Sequence, residues 1–101
     1  MLKPRYSLIS AAVDLSGRSY LGYALEIPTE KVGTFDCELV EEFWLAFVRA
    51  AACTLHIRQM AGSNSHHIIE GTFKAVGRAL REAVSVEAAF ADEIPSTKGV
   101  L

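Results

Sequence analysis

Apolar and polar residues alternate along two stretches near the start of the chain. Ile9, Ala11, Val13 and Leu15 take every second position between Leu8 and Leu15, and Leu21, Tyr23, Leu25 and Ile27 do the same between Ser19 and Ile27. A period of two gathers one set of side chains on one face of an extended strand. Ser16-Gly17 lies between the two runs, with a glycine where positive φ is wanted. The pair therefore predicts a β-hairpin, closed off by Pro28.

The segment PTEKVGTFD that follows reads as a connection, with Asp36 a candidate helix N-cap and Glu38 placed favourably in the first turn. Leu39, Phe43, Phe47 and Ala50 then recur at helical spacing, and Val40, Trp44 and Val48 form a second apolar row beside them. So wide an apolar face predicts a helix central to the core or partly covered by a partner subunit. From Thr54 to Met60 the period returns to two, with Leu55 and Ile57 pointing one way and Thr54, His56 and Arg58 the other. Gly62-Ser63-Asn64-Ser65 is turn chemistry that predicts a helix start, Asn64 or Ser65 being the N-cap. In that second helix Ile69, Phe73, Val76, Leu80 and Ala83 share one face, while His67, Glu70, Lys74, Arg78 and Arg81 share another. Its end is expected near Ser85, before an irregular tail. The order β-β-α-β-α predicts an α+β two-layer sandwich, one mixed sheet with both helices on one face.

A length of 101 residues suits a single domain spanning 1–101. Half the residues are apolar and 22% are charged, which describes a globular chain, and a net charge of −2 gives no electrostatic footprint for nucleic acid. Cys37 and Cys53 form neither a CxxC pair nor a disulfide framework, so both read as buried thiols of a reducing compartment. The opening MLKPRYSLISAAV faintly resembles a signal peptide, but Asp14 cuts its apolar run short. No stretch reaches the roughly 20 apolar residues that a membrane span needs. A cytoplasmic protein is the expectation.

The candidate chemistry is concentrated in SNSHHIIE, residues 63–70. On a helix His66 and His67 lie four and three positions before Glu70, so both imidazoles can approach one carboxylate. Such donors suit divalent transition metals. The same residues also fit a solvated helix start. Adjacent histidines diverge by about 100° around a helix, which favours two ions over one. HExxH, GxSxG and P-loop patterns are absent, so metalloprotease, nucleophile-elbow and P-loop chemistries are not supported. His56 is a further histidine of ligand type on a strand, and Lys74, Arg78 and Arg81 read as a solvated helix face. Near the C-terminus PSTKG gathers hydroxyls, Lys98 and a glycine, a composition suited to an anion, and Arg18 after the first turn is a second candidate anion contact.

Taken together, AVDLSGRSY, FDCELVEEFW, TLHIRQMAGSNSHHIIEGTFKAVGRALREAV and IPSTKGVL resemble the C-terminal half of imidazoleglycerol-phosphate dehydratase, from about Leu8 to Leu101. The resemblance implies a subunit of two similar half-domains, large oligomers with active sites between subunits, and a pair of manganese ions to which each half contributes a His-His-x-x-Glu helix. It implies dehydration of imidazoleglycerol phosphate to imidazole acetol phosphate, a step of histidine biosynthesis, without a redox cofactor. By position, His66, His67 and Glu70 match metal ligands, and Glu42 matches a further ligand that is histidine in some members and glutamate in others. Arg18, Ser96 and Lys98 match phosphate-binding positions, whereas His56 matches no ligand. Two departures accompany these matches. The first half is missing, with its own ligands, and Arg5 stands where the family pattern has an acidic residue. The chain thus carries no confident catalytic acid or base of its own. Either self-association or a complementary N-terminal half has to complete the site, or the chain is a catalytically silent assembly or phosphate-binding half-domain.

Overall fold

Leu55 and Ile57 are almost wholly excluded from solvent, and the strand that carries them is the middle of the sheet. The computed structural model describes residues 6–93. Their elements run in the order β1 Leu8–Asp14, β2 Tyr20–Ala24, β3 Lys31–Val32, β4 Phe35–Asp36, α1 Glu38–Ala51, β5 Thr54–Ala61 and α2 Ser65–Glu93. β1 lies antiparallel to β5 on one side, and β2 lies parallel to β5 on the other. The sheet is therefore mixed.

This order corrects the expected hairpin. β1 and β2 are not neighbours, because β5 sits between them. Residues 15–19 bridge two strand spacings, about 10 Å, instead of making a tight turn. Gly17 does adopt positive φ, at 88°. The chain then runs from β2 through α1 into β5, a parallel crossover of the β-α-β kind. Two-residue strands β3 and β4 form a small hairpin within the expected connection.

The helices cover one face, as expected. Val40, Trp44 and Val48 of α1 and Val76 of α2 join Cys53, Leu55 and Ile57 in the buried cluster, with Ile9, Ala11, Val13, Leu21 and Tyr23 packed around it. Burying each large side chain contributes roughly 1.5–3 kcal/mol. The opposite face, with His56 and Arg58, is exposed. On α1 only one of the two expected apolar rows is covered: Leu39 and Phe43 remain 50% and 48% exposed. Phe43 and Trp44 meet Phe73 of α2 at ring distances of 5.3 and 4.9 Å, which ties the two helices together.

Both helix starts and ends have local causes. Asp36 is not the N-cap of α1; it belongs to β4 and faces Lys31 at 3.9 Å. Cys37 takes the cap position without a side-chain hydrogen bond, its N–H donating instead to Glu30 O. At the other end Ala52 adopts the left-handed conformation, φ 51°, and its N–H and that of Cys53 return to Val48 O. Cys37 and Cys53 are both free and buried, as expected, and burial pushes the Cys53 thiol up. α2 runs past Ser85 to Glu93. Residues 81–93 contain four alanines and neither glycine nor proline, so nothing in the local sequence stops it.

Candidate functional site

The first turns of α2 are held by contacts that leave its metal-type side chains free. Asn64 supplies the cap: its Oδ1 accepts the His67 N–H at 3.0 Å and its carbonyl accepts the Ile68 N–H at 2.9 Å. Ser65 meets Thr29 by hydroxyl contact at 2.7 Å, and Ser7 Oγ donates to His67 O at 2.7 Å. Ile68 and Thr72 point into the sheet and are completely buried. The buried face is thus rotated from the expected Ile69 and Phe73 row by about one residue. Thr72 is tolerated there because its hydroxyl donates to Ile69 O at 2.7 Å.

That rotation sends His66, His67 and Glu70 outward. His66 Nε2 lies 3.3 Å from Glu70 Oε2, and the Lys74 ammonium lies 3.1 Å from Glu70 Oε1. Hydrogen bonding and charge from Lys74, followed by the His66 contribution, hold the Glu70 carboxyl below the usual carboxylate range. It is ionised well into mildly acidic solution. The two imidazole rings are 5.8 Å apart at 66°, so they face different directions, as the helical angle predicts. His67 lines a shallow cavity of about 250 Å³ with Tyr6, Ser7, Glu70, Lys74 and Arg78.

The structure brings together His66, His67 and Glu70 at one helix start, but not the whole expected set. Glu42 is an exposed residue of α1. Among the described residues no group of three or more histidine, cysteine, aspartate or glutamate side chains converges as a metal cluster. Arg18 is exposed, its carbonyl accepting from Thr54 Oγ1 at 3.1 Å. Thr54 opens β5 and Ala61 closes it, whereas α2 begins beyond Ala61. Arg18 and the histidine pair therefore sit at opposite ends of the sheet, roughly 20 Å apart. Ser96 and Lys98 lie outside the described residues, as does Arg5. His56 is on the exposed sheet face, its ring 5.4 Å from that of Tyr20 and packed over Gly22.

Lys74 belongs to the helix face that the sequence presents as solvated, yet its ammonium pairs with Glu70. A glutamate four positions before a lysine on a helix was the available signal. Ser7 and Tyr6 had no such signal, since their approach to α2 depends on tertiary packing.

Residues 5–80 match the family model described as imidazoleglycerol-phosphate dehydratase. The chain is 59% identical over 95 residues to the chloroplastic imidazoleglycerol-phosphate dehydratase 1 of Arabidopsis thaliana, covering 94% of this chain and 35% of that one. It is 56% identical over 95 residues to the enzyme of Thermosynechococcus vestitus, covering 94% of this chain and 45% of the relative. Among solved structures, the Staphylococcus aureus dehydratase superposes with a TM-score of 0.73 at 51% identity, over 79% of this chain and 47% of that one. The Pyrococcus furiosus enzyme gives 0.69 at 36%, over 77% and 44%. The chain thus spans between about a third and a half of the relatives it matches. With the fold, the HHIIE helix start and these similarities in agreement, the chain belongs to the imidazoleglycerol-phosphate dehydratase family.

Proposed function

We propose that this chain is the C-terminal half-domain of a manganese-dependent carbon-oxygen lyase that dehydrates imidazoleglycerol phosphate to imidazole acetol phosphate in histidine biosynthesis. The observation that carries the reading is the helix start, where two imidazoles and an ionised carboxylate face outward within a chain that matches the family. The donor set fits a divalent metal such as manganese: His66 and His67 as neutral imidazoles, Glu70 as an oxygen donor, and Glu42 as a further carboxylate from α1. When bound, the metal supplies Lewis-acid polarisation and a template for the substrate.

Within one copy Arg18 and the histidine pair lie at opposite ends of the sheet. Arg18, with Ser96 and Lys98, is assigned to the substrate phosphate. The distance of roughly 20 Å from Arg18 to the histidine pair exceeds the length of one small substrate, so residues of one copy serve sites completed by another. A complementary N-terminal half, or a second copy of this chain against the exposed Leu39 and Phe43 face, is the partner that supplies the missing donors. No helix among the described residues is long and apolar enough to cross a membrane. A cytoplasmic site of action fits that reading.

A second reading is favoured by a separate observation. No three-ligand cluster forms among the described residues, and Arg5 replaces an acidic position, so the chain can act as a silent assembly or phosphate-binding half-domain. Calorimetric titration with manganese, paired with light scattering, separates the two. Heat of binding that disappears in His66→Ala and Glu70→Gln supports the metal reading. A monomer that gives no heat sinks the self-completed site.

A further inference from the structure

On β5 the buried side runs Leu55, Ile57 and then Gln59, so a glutamine stands where the alternation calls for a third apolar residue. A half-buried amide at such a position has to find partners for its oxygen and its N–H groups. Gln59 finds both at the end of the strand. Its Oε1 accepts the Glu26 N–H at 2.8 Å, which extends the joining of β2 to β5 past its last rung, Ala24 opposite Arg58. Its Nε2 donates to Gly62 O at 3.3 Å, in the turn that leads into α2. The ladder to β1 is irregular at the same place: Leu8 faces Ala61 and Ile9 faces Gln59, so Met60 is an extra residue, a β-bulge. Gly62 has φ 142°, and a Cβ there would lie 3.0 Å from Ser7 Cβ and 3.1 Å from Ile68 Cγ1. The turn is therefore wedged against the first turn of α2, and a shift of Gly62 passes directly to it. Thr29 fastens the segment after Glu26 to the same helix start, through its 2.7 Å contact with Ser65, the residue before His66.

We infer that Gln59 is a positioning residue: with the bulge at Met60 it clamps the turn between β5 and α2, and so sets the direction in which His66 and His67 leave the helix start. Packing alone would be served better by valine or isoleucine, which complete the Leu55 and Ile57 stripe without an amide to satisfy. The amide instead ties the bulged strand end to Glu26 on one side and to Gly62 on the other. Ligands for one ion have to be held to within about 0.5 Å, and side chains on a helix meet that demand only when the entry of the helix is itself fixed. The inference rests on the metal reading proposed above and names what holds its ligands in place.

The test compares the whole chain as wild type, Gln59→Met and Gln59→Glu. Methionine matches glutamine in length and makes neither contact. At neutral pH glutamate keeps an acceptor for the Glu26 N–H and loses the donor to Gly62. In the metal-free chains, amide hydrogen exchange at His67 and Ile68 is expected to rise roughly fivefold in both variants, the effect of one lost hydrogen bond, with Leu55 and Ile57 unchanged. Manganese affinity, read by the electron paramagnetic resonance signal of the free ion in fully folded protein, is expected to fall roughly tenfold in Gln59→Met, the low end of losses for partners outside the ligand shell. Exchange that rises equally in β5 and α2, with manganese affinity unchanged, overturns the inference, because it marks Gln59 as a packing residue only. Wild-type exchange at His67 and Ile68 in Gln59→Glu overturns the assignment of the clamp to Gly62. Absence of manganese binding by wild type overturns the metal reading alone, and the exchange measurement then decides whether Gln59 holds the turn.

Discussion

Two glycines six residues apart on α2 should respond in opposite directions to the same substitution. Alanine at either position gains helix propensity of about 1 kcal/mol. At Gly77, which is exposed, a new Cβ would meet nothing within 4 Å. Gly77→Ala is therefore expected to stabilise the fold by close to that amount. At Gly71 the new Cβ would come within 2.8 Å of Ile9 Cγ1 and 3.4 Å of Ser7 Oγ. Ile9 is β-branched and lies on β1, where its χ1 has little freedom, so relief requires α2 to move away from the strand. Overpacking of this kind costs roughly 1–3 kcal/mol, which offsets the propensity gain and leaves Gly71→Ala neutral to about 2 kcal/mol less stable. The difference between the variants is then roughly 1–3 kcal/mol, or at least 4–8 °C in Tm for a domain of this size. Urea unfolding followed by far-ultraviolet circular dichroism measures it directly. Equal stabilisation by both alanines would refute the close approach of α2 to β1 that aims His67 and Glu70 outward.

Other expectations test the caps and a half-buried phenol. Ala52→Gly relieves a left-handed alanine and should raise stability by about 1 kcal/mol in the same unfolding assay, with no change in m. Asn64→Ala removes the acceptor for the His67 N–H and should cost about 1 kcal/mol, with faster amide exchange confined to the first turn of α2. Burial first, then the charge of Glu41 and that of Cys37, push the Tyr23 phenol up to about 12 from an ordinary value near 10. The folded chain then holds a proton that the unfolded chain releases, so stability present below pH 10 declines between pH 10 and pH 12. Tyr23→Phe should flatten that decline in a stability series over this range.

Much of the fold was readable because hydrophobic periodicity reports which face of an element is buried. Leu55, Ile57, Val40, Trp44 and Val48 were legible for that reason, and all are core. Periodicity does not report which strand lies beside which. β1 and β2 alternate as a hairpin would, yet β5, distant in sequence, separates them, because the alternation is the same whether the neighbour is local or arrives by a crossover. The phase of α2 differs from the periodicity for a related reason. Phe73 outweighs Thr72 in hydrophobicity, but the close approach of α2 to β1 favours the smaller side chain facing the sheet, and its hydroxyl is satisfied within the helix. Of the candidate site, the HHIIE spacing and the Asn64 cap were legible because they are local. The separation of Arg18 from the histidines was not, since it depends on how the strands are ordered. Lys74 had a local signal that charge counting alone treats as solvation.

One measurement tests a site shared between two half-domains most directly. The chain, manganese and imidazoleglycerol phosphate are combined with and without a separately purified N-terminal half from a relative, and formation of imidazole acetol phosphate is followed. Little or no turnover by the chain alone and clear turnover on mixing, lost with His66→Ala, is the predicted result. Absence of turnover in every combination, with both halves folded and associated, would contradict it.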